Sequence, residues 1–161
     1  MTEKETFLNT WDREFQTTLK VLKAYPPGKL DLKPHERSRS ARELAWTFVV
    51  EEKVIDGIIA GKIDFQNLPP APATLQEILT AYENTHKQMV RKVKGLRADA
   101  FNKTIPFPVG PKKMGDVRRG DVFWTMLLDG VHHRGQFSVY LRIAGGKVPS
   151  IYGPSADEPW M

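Results

Sequence analysis

Apolar side chains recur at three- and four-residue steps in four separate stretches of the chain, a spacing that places them on one face of an α-helix. The first stretch runs from about Thr6 to Ala24 and stops before Pro26–Gly28, which favours a turn. The second opens on Ser40, with Glu43 three residues later, and continues to Gly61. Serine and glutamate at this spacing form a capping box, in which both side chains satisfy free backbone amides at a helix start.

Proline-rich connections separate the later stretches from their neighbours. Leu68–Pro72 cannot continue a helix, and a third apolar stripe follows from Leu75 to Leu96. A fourth helix is predicted over about Arg118–Ala144, because Gly145 suits the left-handed conformation that ends many helices. Thr104–Pro111 is too rich in proline for a central strand, although its first four residues are suitable for a short extended piece.

Four amphipathic helices without convincing alternating strands predict an all-α four-helix bundle. A chain of 161 residues is near the usual size of one domain, so a single domain is expected over residues 1–161. The long second and third connections permit crossovers between helices. Residues 148–155 combine Ile and Tyr with prolines, and this extended tail is expected to fold back along the bundle.

The chain has no cysteine, which excludes disulfides, thiolate metal ligands and cysteine nucleophiles. Any metal site must therefore use nitrogen and oxygen ligands. The first residues are polar and acidic, and no segment is apolar for long enough to cross a bilayer, so a cytoplasmic protein without membrane contact is expected.

The formal net charge is +5, and its distribution argues against a nucleic-acid partner. Basic residues occur in small dispersed clusters, without interleaved aromatic side chains and without an identifiable DNA-recognition helix. Solvated helix faces and loops explain this pattern better than nucleic-acid binding does.

The apolar stripe of the fourth helix contains a histidine. Gly130, His133, Phe137 and Tyr140 follow helical steps, so His133 is expected to point into the bundle. Asp129, one turn earlier, supplies a second candidate metal ligand on nearly the same face. His133 is therefore either a metal ligand or a hydrogen-bonded core residue.

The C-terminal part of the chain resembles the signature of a known family. The run His132–Arg142, followed by Val148–Pro149 and Ile151–Ser155, resembles the carboxy-terminal signature of the DinB family, and Glu43–Trp46 resembles that family's second-helix motif. The resemblance covers essentially the whole chain. It implies a bundle in up-down-down-up order, a homodimer, and a divalent metal such as nickel or zinc held by three histidines.

The ligands that the resemblance implies are only partly present. The second-helix histidine aligns with Thr47, the first histidine of the fourth-helix pair aligns with Asp129, and only His133 matches. A neutral hydroxyl is a poor ligand for nickel or zinc, whereas aspartate is acceptable. The resemblance therefore implies a degenerate metal-ligand set.

Neighbouring side chains offer ways to complete the set. Glu51 lies one turn after Thr47, and His86 lies on the apolar stripe of the third helix. Asp129 and His133 with either of them would give a mixed nitrogen and oxygen shell with an open position. In the alternative interpretation His86 is a hydrogen-bonded core residue, and Glu51 or Glu52 caps a polar pocket or forms an internal ion pair with Arg134 or another base.

The sequence leaves two classes of function open. The favoured interpretation is a small-ligand binding or interaction protein whose site retains part of its metal ligands, with either a divalent metal or none. The alternative is a metal-dependent hydrolase or a thiol-dependent transferase or isomerase. Gln136 and Tyr140 are expected to hydrogen-bond near the pocket, and His132 is expected to face away from it.

Overall fold

A computed structural model describes residues 1–64 and 67–161 of the chain. Within these ranges it contains four α-helices, and this confirms the predicted fold class. The elements, in chain order, are α1 (Glu3–Lys23), α2 (Ala41–Ala60), α3 (Leu75–Lys94), β1 (Thr104–Gly110), β2 (Lys113–Arg118) and α4 (Arg119–Ile143). Short 3-10 turns at Pro27–Lys29 and Ala98–Asn102 lie in the connections. No helix in these ranges combines the length and the apolar character that a bilayer crossing requires.

Side-chain caps define the helix ends. Ser40 and Glu43 form the predicted capping box of α2, and Thr2 and Thr74 begin equivalent boxes at α1 and α3. Gly61 ends α2 with a φ of 80°, and Gly145 follows α4 with a φ of 82°. Side chains with a Cβ atom are strained in this left-handed region, so glycine is suited to both positions.

Contacts at one end of the bundle give the directions of three helices. Lys4 at the start of α1 donates a hydrogen bond of 3.1 Å to the backbone carbonyl of Lys94 at the end of α3. Arg118, directly before α4, pairs with Glu3 of α1 at 2.8 Å. Helix α1 therefore runs antiparallel to α3 and parallel to α4.

The opposite end gives the direction of the remaining helix. The Tyr140 hydroxyl near the end of α4 donates to the backbone carbonyl of Arg39, directly before α2, at 2.8 Å. Helices α2 and α4 are therefore antiparallel, and α2 runs parallel to α3. This is the expected up-down-down-up order, and the connection from α2 to α3 must cross the length of the bundle.

A small antiparallel hairpin is an addition to the predicted fold. Strand β1 extends beyond the expected short piece to Gly110 and pairs with β2, which the apolar pattern did not indicate. Both strands of a two-stranded ribbon are edges, and prolines such as Pro106 and Pro108 are tolerated there. Ile105 of the hairpin is buried against the bundle.

The bundle core consists of two apolar clusters with a polar layer between them. One cluster contains residues from Phe15 to Leu22 of α1 together with Phe137 and Leu141 of α4. The other contains Phe7 and Trp11 of α1 with residues from Val122 to Leu127 of α4. The side chains that lie between these levels are mostly charged or titratable: Glu14, Glu51, Glu52, His86, Asp129, His133 and Arg134.

A buried ion pair in this layer attaches the C-terminal tail to the bundle. Arg134 is 1% exposed, and its Nη2 lies 2.8 Å from a carboxylate oxygen of Glu14. The Tyr152 hydroxyl from the tail donates to the same Glu14 carboxylate at 2.6 Å and also contacts Arg134. Burial alone raises the pKa of Glu14, but the hydrogen bonds from Tyr152 and Arg134 outweigh it and leave this pKa below its ordinary value. The tail thus folds back along the bundle, as expected.

We expect Arg134→Met to lower the free energy of unfolding by about 3 kcal/mol, because the buried Glu14 carboxylate then keeps only the exposed Arg13, at 3.6 Å, as a cation. Tyr152→Phe removes one hydrogen bond and should cost about 1 kcal/mol. Urea unfolding followed by circular dichroism measures both values. Combining Arg134→Met with Glu14→Leu should recover part of the loss, and a double variant as unstable as the sum of the single ones would contradict this account.

Candidate metal centre

The antiparallel packing of α2 against α4 brings Glu51 to His133. Glu51 Oε1 lies 2.5 Å from His133 Nδ1, and Asp129 Oδ2, one turn earlier on α4, lies 3.9 Å from the same nitrogen. The Glu51 and His133 side chains are 13% and 11% exposed, whereas that of Asp129 is 45% exposed. The group therefore begins inside the bundle and opens toward solvent at Asp129.

A glycine makes room for the buried carboxylate. A Cβ atom added at Gly130 would lie 3.2 Å from Glu51 Oε2, which is closer than side chains ordinarily approach. The helix-weakening glycine that the sequence places in α4 thus allows Glu51 to approach the helix backbone. Gly135, by contrast, has open space on its side-chain face.

The second ring nitrogen of His133 faces an arginine. Arg39 Nη2 lies 3.1 Å from His133 Nε2, and Arg39 Nη1 donates to Thr47 Oγ1 at 2.7 Å. Because a guanidinium only donates hydrogen bonds, Nε2 must accept, and the imidazole proton then lies on Nδ1, where it is donated to Glu51. Carboxylates and a cation thus occupy opposite edges of one ring.

Burial and pairing shift the protonation of this group. Burial raises the pKa of the Glu51 carboxyl to about 7, with the hydrogen bond from His133 acting in the opposite direction. The hydrogen bond to Glu51 raises the pKa of His133, while the Arg39 charge acts against it. The Glu51–His133 pair therefore retains protons to higher pH than two separate groups would.

One ligand atom each from Glu51, Asp129 and His133 lies within 4.8 Å of the other two. This donor set of one imidazole and two carboxylates is chemically suited to a divalent metal such as zinc. Of the two ways to complete the set that the sequence leaves open, the structure therefore brings Glu51 to Asp129 and His133. The internal pairs considered for Glu51 and Glu52 form with another base, His133 and His86 respectively, whereas Arg134 pairs with Glu14.

His86 lies elsewhere in the polar layer. Its Nδ1 is 3.0 Å from Glu52 Oε1, and the same oxygen accepts from Trp11 Nε1 at 3.0 Å. The ring stacks on Phe15 with 3.8 Å between the ring centroids. His86 is therefore placed as a hydrogen-bonded core residue, away from Asp129 and His133.

The Glu52 carboxylate is buried in the polar layer beside His86. It is 4% exposed, and its Oε2 has no hydrogen-bond partner among the described residues. Burial raises its pKa, against the hydrogen bonds from His86 and Trp11. Glu51 and Glu52 are adjacent in sequence but hold different histidines from different helices.

The other predicted pocket residues differ in burial: Thr47 is half-buried, Gln136 is exposed and Tyr140 is buried in the apolar core. The Thr47 hydroxyl accepts a hydrogen bond from the Arg39 guanidinium, and the Tyr140 hydroxyl donates one to the Arg39 backbone carbonyl. Gln136 is exposed and its Nε2 lies 2.8 Å from Nε2 of His132. His132 is also exposed, in agreement with the expectation that it faces away from the bundle.

Arg39 is the residue at this site that sequence reasoning missed. In the sequence it belongs only to a small basic cluster with Arg37, and a loop residue carries no periodicity that would give the direction of its side chain. Its position directly before the α2 cap Ser40, about two turns from Thr47, is the signal that relates it to the site.

Comparison with known proteins supports the same family throughout the chain. The sequence model described as "DinB family" matches residues 1–160. An uncharacterized protein, YrdA of Bacillus subtilis (strain 168), is 28% identical over 158 residues, which cover 94% of this chain and 89% of that protein.

Two solved structures share the fold. A DinB-like protein from Bacillus cereus ATCC 10987 has a TM-score of 0.78 at 23% identity, covering 92% of this chain and 97% of that one. The DinB-like protein YjoA from Bacillus subtilis has a TM-score of 0.74 at 18% identity, covering 91% and 97%.

We expect the free energy of unfolding to decrease as the pH rises from about 5 to about 8, relative to a Glu51→Gln variant. In the unfolded chain the pKa values of Glu51 and His133 are near 4.5 and 6.5, and folding raises both. Between pH 5 and 8 the folded protein therefore binds more protons than the unfolded chain, and its stability decreases as these protons dissociate. Urea unfolding at several pH values gives the slope for each protein. Exposed Glu36 supplies the control Glu36→Gln, which should keep the wild-type slope, and a wild-type slope in Glu51→Gln would contradict the assignment.

Proposed function

This chain belongs to the DinB family, and on that premise we propose that it is a small-ligand-binding protein whose bundle holds one divalent metal ion between Glu51, Asp129 and His133. The observation that carries the proposal is the convergence of one imidazole nitrogen and two carboxylate oxygens within 4.8 Å. Imidazole suits zinc and nickel, and the two carboxylates also admit manganese.

The structure supports a role for each ligand. His133 and Glu51 are held by the packing of α2 on α4, so they form the inner, preorganised side of the site. Asp129 is half-exposed and lies on the side from which metal and ligand arrive. Metal binding at Nδ1 requires the Glu51 carboxyl to be ionised and moves the ring proton of His133 to Nε2, where it displaces the hydrogen bond from Arg39. The extra proton of the pair is released in this way, so metal affinity should increase with pH.

A metal-dependent hydrolase is the second candidate function. Three protein ligands leave an open position, and a metal held in this way lowers the pKa of a bound water. The half-exposed Asp129 favours this candidate, because water and substrate reach the open side. The resemblance also implies thiol-dependent transfer or isomerisation, so an activity screen of metal-loaded protein should include a small thiol.

We also propose that the protein is cytoplasmic and forms a homodimer through the outer face of α4. The core-facing side of this helix is buried, yet Leu128 and Ile143 on its other side are 62% and 53% exposed. A helix that is apolar on both sides is usually buried on both. The open face at Gly135, between these side chains, allows a second helix to approach closely.

Metal binding should saturate at about one ion per chain when untagged, chelator-stripped protein is titrated with zinc, nickel or manganese and analysed by calorimetry and elemental analysis. Glu51→Gln, Asp129→Asn and His133→Ala should each weaken it by at least about tenfold, since each removes one ligand. His132→Ala removes a neighbouring exposed imidazole and should have no effect. Absence of saturable binding in the wild type, or an equal loss in His132→Ala, would refute the metal centre.

Replacing Leu128 and Ile143 together by lysine should convert the dimer to a monomer, because it places two charges in the apolar contact. Light scattering after size-exclusion chromatography measures the mass in solution. The matched control exchanges exposed Met114, on the hairpin, for lysine and should leave the mass unchanged. A wild-type protein that is monomeric at the concentrations tested excludes the homodimer.

A further inference from the structure

The guanidinium of Arg39 is fixed in place by two neutral acceptors. The Thr47 hydroxyl donates its own proton to the backbone carbonyl of Glu43 at 3.0 Å and accepts from Arg39 Nη1. His133 accepts from Arg39 Nη2, while Glu51 holds the opposite ring nitrogen. Both terminal nitrogens of the guanidinium are therefore hydrogen-bonded, and this sets the orientation of the Arg39 side chain.

In the described part of the chain, no carboxylate forms an ion pair with the Arg39 guanidinium. The hydrogen bonds from Ser40 lower the pKa of Glu43, and the Arg39 charge adds to this effect. The Glu43 carboxylate is nevertheless occupied by Ser40, whose backbone N–H and hydroxyl donate to it at 2.6 and 2.8 Å. Two of the five N–H donors of Arg39 are used, and the remaining donors are available to an anion.

Arg39 also lines a pocket whose lining does not include Glu51 or Asp129. Arg37, Ser38 and Gln136 line it with polar groups, and Leu44 and Val139 supply apolar walls. The hydrogen bond from Tyr140 to the Arg39 backbone ties the loop before α2 to α4, so both sides of the pocket are held together. The lining therefore combines two arginines with apolar side chains.

We propose that this pocket binds a small organic carboxylate, with the carboxylate on Arg39 and a short apolar substituent between Leu44 and Val139. A guanidinium fork matches the two oxygens of a carboxylate, and such charge-assisted pairs are about twice as strong as neutral hydrogen bonds. An apolar wall with a few convergent polar groups is the usual composition of a small-molecule site. The second basic side chain, Arg37, strengthens the attraction for an anion.

This site does not require the proposed metal. Arg39 contacts Nε2 of His133, whereas the carboxylates that complete the metal group lie near Nδ1. The anion pocket can therefore be tested on metal-free protein, and its failure or success is separate from that of the metal centre.

The test is a titration of chelator-treated, isotope-labelled protein at low salt with benzoate, with neutral benzamide and with inorganic phosphate, followed by NMR chemical shifts. Benzoate should give saturable shifts at Ser38, Gln136 and the Arg39 side chain. Benzamide, which has the same shape without the charge, should bind at least about tenfold more weakly. Saturation by phosphate but not by benzoate would overturn the assignment of an organic carboxylate.

Variants distinguish the bidentate hydrogen bonding of Arg39 from a general effect of positive charge. Arg39→Ala should abolish saturation, and Arg39→Lys should bind more weakly than the wild type because a point charge replaces a bidentate donor. The matched control is Arg91→Ala, which removes an exposed arginine on α3 outside the pocket and should leave benzoate binding unchanged. Circular dichroism and light scattering establish that all variants share the fold and oligomeric state. Unchanged binding in Arg39→Ala, or equal losses in both alanine variants, would overturn the proposal.

Discussion

The structure depends on the requirement that charges buried in the middle of a helical bundle be paired. Two apolar clusters fill the two ends of the core, and a layer of carboxylates and basic side chains separates them. A carboxylate removed from water without a partner costs several kcal/mol in free energy. Each buried acid in this layer accordingly has a basic partner from a different helix: Glu14 with Arg134, Glu51 with His133 and Glu52 with His86.

The three pairs differ in which parts of the structure they join and in whether further metal ligands lie beside them. The Glu14–Arg134 pair joins α1, α4 and the tail, and the Glu52–His86 pair joins α2 and α3 within the core. The Glu51–His133 pair differs in having half-exposed Asp129 beside it as a third candidate metal ligand. Among the described residues, the same physical requirement therefore produces three similar pairs, and three possible metal ligands converge at one of them.

His133 divides this region into two parts of opposite charge. Its Nδ1 edge faces two carboxylates, which favour a cation, and its Nε2 edge faces the guanidinium of Arg39, which favours an anion. A proton on the ring links the two parts, because donation from Arg39 keeps Nε2 unprotonated and directs the ring proton to Glu51. The fold is shared with DinB-like structures at 23% and 18% identity, whereas this arrangement depends on the side chains of this chain.

The sequence by itself determined the helices, their ends and the inward direction of His133, since helical periodicity and caps depend on residues a few positions apart. It also identified Asp129 as a neighbour, because residues four apart lie on one helix face. Only the tertiary structure decided between Glu51 and His86, and it alone brought Arg39 to Thr47 and His133 and paired β2 with β1. These contacts join residues far apart in the chain, and their distances depend on how helices and loops pack, which no local pattern encodes.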